Sequence, residues 1–375
     1  MNFFILIIYI FLFFLPTKPV AAFDMDYDGY IKTGSLYIFD SPSFHKDFDS
    51  ELIVHLGLEG NVLNKNKWAL DYEMETEASQ VDGPSAQSDL RPETDIDIYR
   101  AWLRFGNDSL RFRGGRQEIL FGVGAIFRPL GLFDTRDVSG VIPKAHGVDS
   151  VRATWFWSDV SLLETWLVPA KKGTALISGI RADLLLGKIE TGVAFQYHPK
   201  SDLDDFSGYD QEMIQVGYHL KGEHEVGFWN ESRLDIEMQP SSPLRFDTVL
   251  GVDYTFEIGK GLHVLVEYFF TARQQEFSLS DLKRQRTYHQ IGFLLDQPIG
   301  IDIKWQIFSL YDFRDKSFQL VPQIEYSITD DLFLYLHGKV GGDIKGNKTN
   351  GRLYRRTDSF SGTESSIGLT ITNYF

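Results

Sequence analysis

Arginines recur at alternate positions in one part of the chain, a spacing that could place several guanidinium groups side by side on one wall of a sheet. The segments that carry them alternate polar and apolar residues with period two, which is typical of a β-strand with one apolar face. If these strands form a barrel in a membrane, an arginine on the lipid-facing side costs about 2–4 kcal/mol at the bilayer midplane, so we expect such arginines to face the lumen. The inward arginines predicted in this way are Arg100, Arg104, Arg111, Arg113, Arg152 and Arg181.

Carboxylates fall on the polar face of other segments with the same alternation. If the strands close into a barrel, these acids lie across the lumen from the arginines, and the opposed charges orient dipolar and anionic solutes in a narrow wet pore. Alternatively, the arginines pair with acids on neighbouring strands. Arg100 and Arg104 could be neutralised by acids of the third strand, which are Asp71, Glu73, Glu75 and Glu77. The sequence leaves both interpretations open. The acids predicted to line the pore are Asp253, Glu257, Glu267, Asp302 and Glu325.

The connection 119–147 is the longest and least polar of the predicted loops. An outer loop with so many apolar side chains would be unfavourable in water. We therefore expect it to fold into the barrel, bury its Phe and Leu side chains and act as a constriction loop. The alternatives are a lipid-facing extension of the strand or a contact within an oligomer. The residues predicted at the constriction are Phe121, Phe127, Arg128, Phe133 and Asp134.

Catalytic and metal-binding patterns are missing from the sequence. The nine histidines form no H-E-x-x-H set, no G-x-S-x-G elbow is present, and the absence of cysteine excludes disulfides, thiolate metal sites and a lipid-modified N-terminus. The formal net charge of −15 disfavours nucleic acid as a partner. We expect no catalytic residue, no metal ion and no cofactor.

The elements that must position the arginines are long strands. The alternation predicts a transmembrane antiparallel β-barrel of the all-β class with about eighteen strands, the range being 16–18. The predicted strands have about 10–13 residues, whereas about 5–6 is usual in soluble proteins. Connections after even-numbered strands are short and several after odd-numbered strands are long, which predicts short periplasmic turns and long extracellular loops. On the fourth strand, the alternation assigns Tyr99 to the outer face together with Ala101 and Leu103.

Both ends of the chain carry compartment signals. Phe3–Leu15 is apolar but shorter than the roughly 20 residues that span a bilayer, and Val20-Ala21-Ala22 fits signal-peptidase cleavage. We therefore expect a signal peptide at 1–22 and a single barrel domain at 23–375. The last strand, which ends at Phe375, resembles the C-terminal signal of outer-membrane barrels and implies recognition by the barrel-assembly machinery. Aromatic residues make up 14% of the chain, which suits two interfacial girdles.

A longer resemblance covers residues 115–152. Gly115-Arg116-Gln117, Phe121-Gly122, Phe127-Arg128-Pro129, Phe133-Asp134 and Gly147-Val148-Asp149-Ser150-Val151-Arg152 resemble the Gly-Arg-Gln … Gly … Asp-x-Val-Arg pattern of alginate-export-like barrels and related bacterial porins. The resemblance implies a barrel of around eighteen strands with an arginine-rich lumen for anionic solutes, and it adds Arg116 to Arg113 and Arg152 as a lumen or constriction residue. The insertion Pro129-Leu130-Gly131 fits the porin relatives better, so alginate is not supported as the solute.

These features predict a passive channel for small hydrophilic, anionic solutes in the outer membrane of a Gram-negative-type bacterium. Its expected partners are outer-membrane lipid, lipopolysaccharide and the solutes, and a homo-oligomer is left open. A dedicated export channel for an anionic polysaccharide, which would need periplasmic partners, is the alternative. A third hypothesis is a barrel enzyme or a structural outer-membrane protein, and a measurement of single-channel conductance would separate it from the first two.

Overall fold

The computed structural model describes residues 24–39, 48–65, 67–83, 93–136, 138–170, 175–199, 212–238, 244–273, 286–314, 316–343 and 365–375. The predicted signal peptide 1–22 lies outside the described residues. No helix long and apolar enough to cross a membrane occurs in the part of the chain that is described.

The described residues form eighteen strands, as the alternation predicts. Their bounds are β1 Asp24–Phe39, β2 Phe48–Lys65, β3 Trp68–Asp82, β4 Glu93–Gly106, β5 Leu110–Gln117, β6 Val148–Ser158, β7 Ser161–Pro169, β8 Leu176–Leu186, β9 Ile189–His198, β10 Met213–Glu223, β11 Gly227–Glu237, β12 Leu244–Phe256, β13 Leu262–Arg273, β14 Arg286–Ile299, β15 Ile303–Asp312, β16 Ser317–Ser327, β17 Leu332–Asp343 and β18 Ser365–Tyr374.

Every strand pairs antiparallel with its neighbours in sequence, and β1 pairs with β18, so the sheet closes into a barrel. At the seam, the backbone of Gly29 and Phe375 exchanges two hydrogen bonds of 3.1 and 3.0 Å. Each of the eighteen described strands therefore has a hydrogen-bonded neighbour on both sides, as a barrel in lipid requires, because hydrocarbon cannot satisfy backbone polar groups. The predicted fold class is confirmed.

The two faces of the barrel wall differ as the period-two pattern predicts. Along β12, Phe246, Leu250 and Val252 are exposed on the outer face, whereas Asp247 and Val249 between them are buried on the inner face. The outer face is therefore the apolar one, which suits hydrocarbon rather than water.

The barrel has a turn end, where even-numbered strands lead into short connections, and a loop end, where odd-numbered strands lead into mostly longer ones. Paired aromatic rings lie on the outer face near both ends, as expected of two interfacial girdles. At the turn end the pairs are Trp68–Phe105, Trp155–Trp157 and Tyr254–Phe256, and at the loop end they are Tyr37–Phe39 and Tyr311–Phe313.

A β-bulge on β4 changes the face of one residue. The register between β3 and β4 shifts between Glu75 and Thr76, which face Arg100 and Ile98. Tyr99 is the extra residue, and its hydroxyl donates to Glu77 on the inner wall over 3.3 Å. The predicted outward orientation of Tyr99 is therefore wrong, because a bulge inserts one residue and breaks the strict alternation.

Candidate functional site: the lumen and the segment that crosses it

Residues 119–147 leave the loop end of β5, cross the lumen and return to β6; we call them the crossing segment. Their described part, which lacks residue 137, contacts the inner faces of strands on both sides of the barrel. The ring has eighteen strands, and β2 and β11 are nine strand steps apart in either direction, so they face each other across the lumen. The crossing segment touches both.

Two fully buried carboxylates hold residues 119–136 of the crossing segment, which we call the outward arm. Glu231 on β11 accepts hydrogen bonds from the backbone N–H groups of Val123 and Gly124 at 2.8 and 2.9 Å, and from that of Leu130. A buried carboxylate needs several donors to offset its lost hydration, and a loop without regular structure has backbone N–H groups to offer.

Glu267 on β13 plays the same role two strands further around the wall. It accepts from the backbone N–H groups of Ala125, Ile126 and Phe127 at 2.6–2.9 Å, and from the indole nitrogen of Trp229 at 2.7 Å. Glu267 is 0% exposed, so it does not line the pore. Its predicted role as a pore-lining residue is wrong, because the crossing segment covers it.

The guanidinium of Arg233 lies beside these carboxylates and adds a third anchor. It is buried, donates to the carbonyl of Pro129, and is held by Asp235 and Asp247 at 2.8 Å each. Neither Glu231 nor Arg233 is among the predicted site residues. The sequence indicates only that both residues lie on the inner face of β11, because they occupy alternate positions of the strand. Every other lumen-facing residue of β11 shares that property.

Apolar contacts complete the fit of the crossing segment to the wall. Phe127 stacks on Phe269 with ring centroids 5.2 Å apart, inside a buried cluster that also includes Phe308 and Leu310. A second buried cluster contains Ile119, Phe121, Leu130, Leu132, Phe133, Val148, Trp166, Val168 and Ile177. Phe121, Phe127 and Phe133 are all buried, so they fix the segment in place and do not face open solvent.

The remaining predicted constriction residues form an ion pair within the crossing segment. Arg128 lies 3.1 Å from Asp134, which also binds Arg136 at 2.7 Å. Burial of Asp134 between two guanidinium groups stiffens the turn between the outward arm and residues 138–147.

Residues 138–147, which we call the return arm, contact the wall opposite Glu231. The ammonium of Lys144 lies 3.1 Å from Nε2 of His55 on β2 and 4.6 Å from the ring centre of Tyr30. The ring of His146 stacks on Tyr99 at 4.5 Å, and its Nδ1 lies 2.9 Å from Asp97. The crossing segment is therefore tied to opposite walls.

Four of the predicted lumen arginines have carboxylate partners. Arg100 contacts Glu73, Glu75 and Glu118, and Arg104 contacts Asp71 at 2.7 Å. Arg152 and Arg181 share Glu164 at 2.7 and 3.3 Å. For these arginines the pairing interpretation describes the contacts, since their charge is largely neutralised locally.

Arg111 and Arg113 differ from the other four, because neither has a carboxylate partner among the described residues. Arg113 lies over the ring of Trp102 at 4.1 Å, and Arg111 lies over Phe156 at 4.6 Å. In the register of β4, β5 and β6, Arg113 stands between Arg104 and Arg152. Among the six predicted lumen arginines, the two without a carboxylate partner in the described part of the chain therefore both lie on the inner face of β5.

Arg116 does not share the face of Arg111 and Arg113. It pairs in register with Asp149 and Ala101, and the alternation along β5 assigns it to the outer face. Its guanidinium lies near the loop end, 3.2 Å from Asp149 and 3.6 Å from Asp97. Arg116 therefore lies near the loop end and not beside Arg111 and Arg113 on the inner face of β5. Strand alternation alone separates it from Arg113.

The remaining predicted acids fall at or near the turn end. Asp253 faces inward 3.4 Å from His263, and Glu325 stands opposite Lys304 in register on the inner face. Glu257 and Asp302 lie in exposed turns beyond the ends of β12 and β14 rather than on the strand wall. Their predicted pore-lining positions are wrong, because β12 ends at Phe256, before Glu257, and β15 begins at Ile303, after Asp302.

No group of His, Asp and Glu side chains that could hold a metal ion occurs among the described residues.

Gly122 allows the outward arm to approach Glu231. It has a φ of +88°, and a Cβ atom there would overlap the Glu231 carboxylate. We expect Gly122→Ala to loosen the crossing segment and raise the unit conductance, because a left-handed backbone costs an L-residue about 1–2 kcal/mol and the overlap adds to it. Planar-bilayer recording checks this.

Gly187→Ala is the matched control for Gly122→Ala. Gly187 has a φ of +66° but lies in the turn between β8 and β9 with no atom near its Cβ position. It should carry the same backbone cost and leave the conductance unchanged. Equal conductance changes in the two variants would contradict the assigned role of Gly122.

No family model matches the chain, and no curated protein matches it in sequence. Among solved structures, it is similar to OmpF of Salmonella typhi in complex with daunomycin (TM-score 0.53, 10% identity, 94% of this chain and 98% of that chain). It is also similar to the anion-selective porin from Comamonas acidovorans (0.52, 12%, 94% and 100%) and the outer membrane channel DcaP of Acinetobacter baumannii (0.50, 12%, 96% and 99%). These similarities show the fold, which is that of outer-membrane porins.

Proposed function

We propose that the chain is a channel of the Gram-negative outer membrane through which small hydrophilic solutes, chiefly anions, diffuse passively. The observation that supports this most directly is a closed porin-type barrel whose inner face carries Arg111 and Arg113, neither of which has a carboxylate partner among the described residues. The anion-selective porin of Comamonas acidovorans has the same fold.

The proposed selectivity follows from where charge is left unpaired. Arg100, Arg104, Arg152 and Arg181 are paired with carboxylates and add little net positive field. Arg111 and Arg113 contribute two positive charges whose field reaches about 10 Å at 0.1 M salt, a distance comparable with a solute pathway beside the wall. The formal charge of −15 on the whole chain acts in the opposite direction, so a modest anion preference is expected.

We propose that the crossing segment narrows the pathway. It is anchored on β11 and β13 by Glu231 and Glu267 and reaches His55 on the opposite wall, so it occupies part of the cross-section. This arrangement favours small solutes over the export of a bulky polymer, for which an obstructed lumen is unfavourable.

Reconstitution in a planar bilayer tests the proposal. Discrete conductance steps and a salt-gradient reversal potential of anionic sign, larger at low salt than at 1 M, are the expected result. A folded protein that gives no conductance steps would contradict a channel, and a cationic reversal potential would contradict the solute class.

Orientation and partners are part of the same proposal. The turn end faces the periplasm, Phe375 is recognised by the barrel-assembly machinery, and lipid and lipopolysaccharide cover the outer face; a homo-oligomer remains a prediction. Epitope tags inserted at 84–88 or 347–350, which lie outside the described residues, should be labelled on intact cells, and a tag at 64–66 should not. Surface labelling of the 64–66 tag would reverse the orientation.

A further inference from the structure

The contact between the return arm and the barrel wall depends on the protonation state of one buried histidine. His55 is 3% exposed, and its Nε2 lies 3.1 Å from the Lys144 ammonium. An ammonium group has donors and no acceptor, so Nε2 must accept this hydrogen bond. The imidazole is therefore neutral in this contact, with its proton on Nδ1, which lies 3.7 Å from a carboxylate oxygen of Glu77.

The surroundings of His55 are rich in charge. Carboxylate oxygens of Glu75 and Glu77 lie 3.7 Å from its two ring nitrogens, and the ring stacks on Tyr30 at 5.0 Å. The groups that face this cluster from β1, β3, β4 and the return arm are Asp28, Tyr30, Glu75, Glu77, Tyr99, Arg100 and Lys144.

We propose that His55 and Lys144 form an acid-sensitive latch for the crossing segment. Protonation of His55 puts a proton on Nε2, so a donor faces a donor and two positive charges stand 3.1 Å apart where a hydrogen bond existed. The contact cannot persist, and Lys144 is displaced from the wall.

The other partner of the latch keeps its charge during acidification. Burial lowers the pKa of the Lys144 ammonium, against the attraction of Glu75 and Glu77. Falling pH favours the charged form of a lysine, so Lys144 is cationic under the conditions that protonate His55. Histidine is the side chain whose charge ordinarily changes between about pH 5 and 8.

Release of the latch removes only the contact between the return arm and β2. Glu231 and Glu267 continue to hold the outward arm, and His146 keeps its contacts with Tyr99 and Asp97 on β4. The gap between the return arm and the wall then opens to solute. We therefore expect the unit conductance to rise on acidification, a consequence that rests on the proposed channel function.

Unit conductance is measured at about pH 7.5 and about pH 5, on either side of the usual histidine range. Wild type should show a higher conductance at the lower pH. His55→Gln should keep the neutral-pH value at both, because the amide oxygen accepts from Lys144 and does not titrate. Lys144→Met should give a raised value at both.

His146→Gln is the matched control, since His146 is the neighbouring histidine of the return arm and contacts Asp97. It should retain the full pH step. A wild type without a pH step, or a His55→Gln variant that keeps the step, would overturn the latch.

A second readout is independent of conduction. The chain has no cysteine, and Ala145 beside Lys144 is buried. The alkylation rate of an Ala145→Cys variant is divided by that of a Pro143→Cys variant, whose position on the same arm is exposed. This ratio should be larger at the lower pH than at the higher one. His55→Gln should abolish that difference. This result would support the latch even if the barrel conducted nothing, and an unchanged normalised rate would refute it.

Discussion

The double variant Glu231→Gln/Glu267→Gln is expected to raise the unit conductance severalfold while the barrel stays folded. Each carboxylate accepts three backbone hydrogen bonds from the crossing segment, and Glu267 also accepts one from Trp229. A glutamine offers one acceptor oxygen and turns an N–H₂ group toward the remaining donors. Each buried donor left without an acceptor costs about 1–3 kcal/mol.

The crossing segment can avoid that cost by leaving the wall, because its N–H groups then bond to water. The strands cannot leave, since their ladder hydrogen bonds close the barrel. The loss should therefore appear as a released segment rather than an unfolded protein. Planar-bilayer recording, together with heat-modifiable mobility on gels as the test of folding, measures both. Glu325→Gln is the control, since Glu325 faces the lumen on β16 away from these anchors. A folded double variant with unchanged conductance would show that the segment does not limit the pathway.

Neutralising Arg111 and Arg113 together is expected to shift the reversal potential toward cations. These two guanidinium groups lie over Phe156 and Trp102 without a carboxylate partner among the described residues. Their removal therefore leaves no carboxylate without its ion-pair partner. Removing Arg152 would instead leave Glu164 with one fewer cation, so Arg152 is kept. The shift should be larger at low salt, because the field of an exposed charge is screened beyond about 10 Å at 0.1 M and about 3 Å at 1 M.

Arg116→Gln is the control for the loss of an arginine away from Arg111 and Arg113, because its guanidinium lies near the loop end beside Asp149 and Asp97. Its effect on ion preference should be small. If Arg111→Gln/Arg113→Gln folds and keeps the wild-type reversal potential at low salt, these arginines do not line the conducting path.

The sequence alone determined how the wall of the barrel is built. Strand number, strand faces and the alternation of short and long connections follow from a period-two pattern, because an outer face in hydrocarbon must be apolar on every strand. The exposed Phe246 and Leu250 beside the buried Asp247 illustrate this rule. The apolar character of residues 119–147 likewise indicated a segment that avoids water, although not where it would bind.

Tertiary structure decided which inward residues meet. The alternation places Glu231, Glu267, Arg111 and Arg152 on the same inner face. It cannot distinguish a carboxylate that the crossing segment covers from one that faces water. It also cannot distinguish an arginine with a carboxylate partner from one without. The β-bulge turns Tyr99 from the outer to the inner face, and the alternating pattern of the sequence does not reveal where the bulge occurs. Lys144 and His55 are 89 positions apart in the chain and meet only because the barrel closes and the segment crosses it. Local pattern fixes the face of a side chain because strand geometry is periodic, whereas a contact across the lumen depends on the path of an irregular segment, which has no period.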